Sequence, residues 1–128
     1  MSLRSPLGRV LGQGSAKYGA GHWQSQRVTA VALVLLGAWF VVALVTRRDL
    51  SHESVTAWLR SPAQAILAVL FVLTAARHAA LGLQVILEDY VGTRGARIAA
   101  VLAVQFVLVV AAAVGVLAVM WIVFGATA

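Results

Sequence analysis

The sequence predicts an all-α membrane protein with three spanning helices, and three observations carry that class. Of 128 residues, 62% are hydrophobic and only 11% charged, whereas a soluble domain is about half apolar and a quarter charged. The apolar residues are gathered into three runs, 28–46, 62–88 and 98–125. Each is long enough, at ~1.5 Å per residue, to cross a hydrocarbon core of ~30 Å. Charges collect where these runs stop; the exception is Arg77, inside the second run.

Taken in order, residues 1–27 read as a polar, Gly-rich tail with Arg4, Arg9, Lys17 and Arg27. It lacks the apolar core of a cleavable signal and has little means to fold alone, so it is expected to order against a partner. Trp23 fits an interfacial belt. The first span, 28–46, contains no charge and covers roughly 28 Å; Arg47-Arg48-Asp49 stops it. In the connection 47–61, Val55 to Leu59 with Trp58 reads as a short interfacial turn. Pro62 suits the first turn of the second helix, 62–88. The connection 89–97 holds Gly92 and Gly95. In the third span, 98–125, Ala111-Ala112-Ala113 and Gly115 suit close helix packing, and Trp121 and Phe124 mark the far interface.

The net charge is +6, yet the basic residues stand singly at segment ends and form no patch, which excludes a nucleic-acid surface. They read instead as orientation signals. The tail and second connection carry Arg4, Arg9, Lys17, Arg27, Arg94 and Arg97, against Arg47, Arg48 and Arg60 in the first connection. Six against three places the N-terminus in the cytoplasm and the C-terminus in the periplasm. Cysteine is absent, which excludes disulfides, thiolate chemistry and cysteine-ligated clusters within this chain.

The stretch with chemical content is Arg77 to Tyr90. At ~100° per residue, Gly82, Val85 and Asp89 return to nearly the helical face of His78, and Ala75 lies close to it. Ala75 and Gly82 leave clearance around the imidazole for a flat macrocycle, while Asp89 and Tyr90 lie roughly 16 Å further along the axis. Counted from Pro62, His78 sits about 24 Å into the helix. A polar side chain at such depth should face protein or cofactor. Read from the residues alone, His78 is either a cofactor ligand or a hydrogen-bond partner of a neighbouring helix. Asp89-Tyr90 is either a site or an ordinary helix terminus, and Arg27 is explained by an inside-positive flank. His22 and His52 lie in polar segments, and Arg77 receives no role.

The pattern of His78, Gly82 and Asp89-Tyr90 in the second of three spans resembles the small hydrophobic membrane anchor of bacterial succinate dehydrogenase, respiratory complex II. Arg27-Val28-Thr29-Ala30 preceded by His22-Trp23 is a second match. Ser5-Pro6-Leu7-Gly8-Arg9 with Gly14-Ser15-Ala16-Lys17 is a third, similar to the alphaproteobacterial branch. The resemblance implies that His78 is an axial ligand of haem b iron, packed near Gly82, with Arg27 and His22 near the haem propionates. It implies that Tyr90, aided by Asp89, forms part of the ubiquinone site. With one histidine at depth, the second haem ligand is expected from another chain. The partners implied are a second, cytochrome b-type anchor subunit completing a larger helical bundle, an iron–sulfur subunit and a flavoprotein, all at the bacterial inner membrane. The chain would form part of an enzyme without a succinate site of its own. A fumarate reductase anchor is the near alternative. A small transporter or channel subunit with an Arg77–His78 relay, and a purely structural assembly subunit, are the others.

Overall fold

The structure, a computed structural model, describes residues 17–125. The described residues form four helices: α1 (Lys17–Val45), α2 (His52–Leu59), α3 (Pro62–Tyr90) and α4 (Arg94–Phe124). The Ser5–Arg9 and Gly14–Ala16 motifs lie outside the described residues. Among the described residues three helices are long and apolar enough to cross a membrane, over Ala20–Val45, Pro62–Tyr90 and Arg94–Phe124. The expected class is therefore the observed one.

Residues 17–27, expected in the tail, are helical and continue straight into the first span. The reason is periodicity hidden among the glycines. His22, Gln26 and Thr29 repeat at helical spacing and give α1 a polar stripe along one face. The helix ends near the basic pair: Thr46 N–H donates to the Val42 carbonyl at 3.0 Å, and its hydroxyl donates to the same oxygen at 2.7 Å.

The expected turn at residues 55–59 is a complete helix beginning at His52. Ser51 caps it, its Oγ accepting from Ser54 N–H at 3.3 Å, and Glu53 in the first turn suits the positive end of the helix dipole. Pro62 begins α3 as expected, where its missing N–H costs nothing. Extended backbone at Val91 and Thr93 separates α3 from α4. Only residues 91–93 join the two helices, so the expected connection 89–97 is mostly absorbed into helix.

The central element is α3. It packs against α1 on one side and α4 on the other, with α2 across its first turns, while α1 and α4 do not meet. Between α3 and α4 the Val72 side chain packs onto the Gly115 backbone: a Cβ built on Gly115 would lie 2.9 Å from Val72 Cγ1. This is the small-residue packing expected for the 111–115 stretch. Among the described residues only Leu81, Ala112 and Val119 are buried, so most of the apolar surface faces outward.

At one end of the molecule, aromatic contacts join α1, α2 and α3. Trp39 and Trp58 stack with centroids 5.6 Å apart, and Phe40 and Phe71 at 5.3 Å. Trp39 Nε1 donates to Gln64 Oε1 at 3.2 Å, and the Arg47 guanidinium lies 4.6 Å over the Trp58 ring. One indole with its N–H satisfied, stacked on a second that carries a cation on its face, suits a water–lipid boundary. The opposite end, where α1 starts and α3 finishes, holds the residues of chemical interest.

Candidate functional site

His78 faces α1. Its Nδ1 lies 3.0 Å from Thr29 Oγ1, a contact between residues far apart in the chain. The threonine hydroxyl is also within reach of two carbonyls of its own helix, Ser25 O at 2.8 Å and Gln26 O at 3.0 Å. A hydroxyl has one proton and two lone pairs. When the proton goes to one of these carbonyls, as is common for threonine in a helix, Oγ1 accepts from His78 Nδ1–H; when it goes to Nδ1, the imidazole proton sits on Nε2. The first arrangement leaves the Nε2 lone pair available as a ligand.

Toward the Tyr90 end, a cleft of about 590 Å³ opens between α1 and α3, lined by His22, Trp23, Gln26, Gly82, Gln84, Val85 and Glu88. Two polar atoms here, His22 Nε2 and Gln26 Oε1, are buried and have no hydrogen-bond partner. A buried polar group without a partner is costly, and each such group calls for an explanation. Gly82, one turn beyond His78, leaves part of the wall open. A Cβ there would meet only Gln26 Nε2, at 3.5 Å, so helix packing does not demand this glycine. Gln84 Nε2 donates to Glu88 Oε1 at 2.8 Å, bringing a carboxylate to the mouth of the cleft.

The residues singled out in the sequence are thus partly brought together. His22 and Gly82 share the cleft, with His78 one turn away. Arg27 does not line it: its guanidinium lies 4.5 Å over the Trp23 ring. Asp89 and Tyr90 end α3 outside the cleft, with Tyr90 85% exposed. Arg77 lines a different cleft, between α3 and α4. Sequence reasoning missed Thr29, Gln26, Gln84 and Glu88. The period of His22, Gln26 and Thr29 was the available signal for the first two.

Among the described residues no three histidine or carboxylate side chains gather to hold a metal ion. A metal on His78 would therefore take its remaining ligands from elsewhere, as iron in a porphyrin does. A lone-pair-bearing imidazole, an open glycine wall and unpaired polar atoms toward the helix end are a donor set that fits one side of such a group.

Three apolar helices, with a threonine–histidine hydrogen bond between α1 and α3, define a small multi-pass helical membrane protein with a polar cleft at one end. The chain belongs to the succinate dehydrogenase/fumarate reductase transmembrane subunit family, whose model matches residues 1–112. It is 34% identical over 104 residues to the succinate dehydrogenase hydrophobic membrane anchor subunit of Rickettsia bellii, covering 80% of this chain and 82% of that one. To the subunit of the same name from Paracoccus denitrificans it is 37% identical over 100 residues, covering 77% and 78%. A Rickettsia conorii relative is 28% identical over 109 residues, covering 84% and 86%.

Proposed function

We propose that this chain is the hydrophobic membrane anchor of a succinate:quinone oxidoreductase, holding a flavoprotein and an iron–sulfur subunit at the inner membrane. Together with a second, cytochrome b-type anchor subunit it completes a helical bundle that shares one haem b and forms the quinone-reducing site. The Lys/Arg asymmetry puts the N-terminus and the Tyr90 end in the cytoplasm, the side from which electrons arrive.

The observation that carries this reading is the Thr29–His78 hydrogen bond at 3.0 Å. A ligating histidine almost always donates its other ring N–H to an acceptor that fixes its tautomer, and Thr29 supplies that acceptor. When bound, the haem would supply a one-electron carrier. This chain's residues hold and orient it. His78 Nε2 would hold the iron, Gly82 would keep the wall clear, and the unpaired His22 Nε2 would offer a hydrogen bond to a propionate. Arg27, kept at the boundary by Trp23, adds the positive charge such a carboxylate prefers.

The quinone is substrate. Reducing it to quinol takes two electrons, and each carbonyl oxygen takes up one proton. The exposed Tyr90 hydroxyl donates a hydrogen bond to one carbonyl oxygen, and the neighbouring Asp89 carboxylate relays protons from water. Their exposure in the isolated chain supports a site completed by another subunit. A fumarate reductase anchor would use the same parts in the reverse direction. No specific observation favours an Arg77–His78 relay, because the two side chains serve different interfaces.

The test is a reduced-minus-oxidised spectrum of membranes carrying the assembled complex. His78→Ala is expected to lower haem b content at least about tenfold while the chain still inserts, since the ligand itself is gone. Unchanged pigment in that variant would refute the ligand assignment. For the quinone site, Tyr90→Phe is expected to slow quinone reduction about 10²-fold with succinate oxidation by an artificial acceptor unaffected.

A further inference from the structure

Arg77 stands in the middle of α3, roughly 20 Å along the axis from either end. Its guanidinium cannot be neutralised by losing a proton, and a cation at that depth must face a partner or water, not lipid. Among the described residues it has neither an ion pair nor a hydrogen bond. The chain offers it no counter-charge within the bilayer. All four acidic residues, Asp49, Glu53, Glu88 and Asp89, lie at or beyond helix ends.

Arg77 opens into a cleft of about 780 Å³ between α3 and α4. Its walls are mainly apolar, and Gln105 is the other polar residue lining it. On α4 the lining runs from Gln105 to Leu117, roughly 18 Å along the axis, which is the scale of a groove for a helix and not of a pocket for a small molecule. Ala76 and Ala80 on one wall, Ala112 and Ala113 on the other, allow close backbone approach. The cleft shares no lining residue with the one near Gly82, so a group bound against His78 and His22 does not supply the missing charge here.

We propose that this cleft receives a transmembrane helix of a different polypeptide, carrying an Asp or Glu at mid-depth whose carboxylate pairs with Arg77, with Gln105 hydrogen-bonding beside it. Charge complementarity identifies the occupant. A second copy of this chain has no acid at that depth. A phospholipid carries its phosphate at the membrane surface, out of reach of a side chain rooted at mid-span. A carboxylate on a neighbouring helix meets the planar guanidinium with two parallel hydrogen bonds, removing the cost of a lone cation in hydrocarbon. The proposal rests on the anchor reading for the existence of a partner in the same complex.

The experiment places a photo-activated cross-linking residue at Leu117 or Ala113, on the cleft wall, in the full chain expressed with its complex in native membranes, and sequences the attached peptide. The expected product is an apolar segment of a non-identical chain with one Asp or Glu near its centre. Neutralising that acid and Arg77→Gln should each lower recovered complex at least about fivefold, the double variant should be no worse than either, and Arg77→Lys should retain most of it. A product that is lipid only, a second copy of this chain, or a segment without a central acid would overturn the proposal, as would undiminished complex in Arg77→Gln. The wild-type haem b band, read from the same membranes, tests the anchor reading separately. A pigment-free complex with the expected cross-link would sink the haem assignment within that reading and leave this proposal standing.

Discussion

The two faces of α3 are built on opposite logic, and a pair of glycines shows the difference. On the α4 side, Gly115 lets two helices touch: a Cβ there would press to 2.9 Å from Val72 Cγ1. On the α1 side, Gly82 faces room: a Cβ there would sit at an ordinary 3.5 Å from Gln26 Nε2. Between lipid-soluble helices there is little hydrophobic gain from association, so the tight van der Waals contact at Gly115 holds α3 and α4 together beside their own, mainly apolar cleft. The α1–α3 interface gives up that contact for a polar cleft with unpaired atoms at His22 and Gln26. Glycine at a helix interface therefore has two meanings, closure and clearance, which the neighbouring side chain decides.

The largest effect should come from closing the seam's glycine. Gly115→Leu is expected to destabilise the α3–α4 pair by about 1–3 kcal/mol through overpacking, read as a lower midpoint of unfolding in detergent. If the midpoint did not move, the seam would not be the tight contact the comparison requires. Next comes the polar face. Thr29→Val removes the acceptor for His78 Nδ1–H and should weaken haem retention roughly 10- to 100-fold, with a shifted reduction potential for what remains. Thr29→Ser should restore both, and equal behaviour of the two variants would deny Thr29 its positioning role.

A smaller effect sharpens the contrast directly. Gly82→Ala should leave stability unchanged or raise it by up to about 1 kcal/mol, since alanine is the better helix former and its methyl fits. Gly82→Phe, which fills the cleft, should instead reduce bound haem while the chain's level in membranes holds. Smallest is the pH response of the first connection. The Ser51 hydroxyl and N–H donate to the Asp49 carboxylate at 2.6 and 2.8 Å and hold its pKa below the ordinary value of 3.8. A folded-state pKa lowered in this way makes a stabilising contribution that is present above pH 3.8 and lost as pH falls through the lowered value. Tryptophan fluorescence near Trp58 should change only in that acidic range, and Asp49→Asn should remove the response.

Much of the architecture was legible because the bilayer imposes a length on apolar runs, and charges interrupt them. The start of α1 was not, since its polar stripe of His22, Gln26 and Thr29 is diluted by glycine and looks like tail. His78 could be singled out by depth alone. Thr29 could not: threonine is ordinary in an apolar span, and its importance comes from a partner on another helix. Spacing placed Asp89 on the His78 face, yet in the structure both Asp89 and Tyr90 lie exposed past the cleft. Periodicity reports which side of a helix a residue occupies, not what stands opposite.

Only three described residues are shielded from their surroundings within this chain, and that has a cellular consequence. A polypeptide with so small an interior owes its lifetime to the neighbours that cover it, and copies made in excess are open to the proteases that clear orphan membrane proteins. Its abundance should therefore follow that of its companions instead of its own rate of synthesis, which makes stoichiometry a property written into the shape of the monomer.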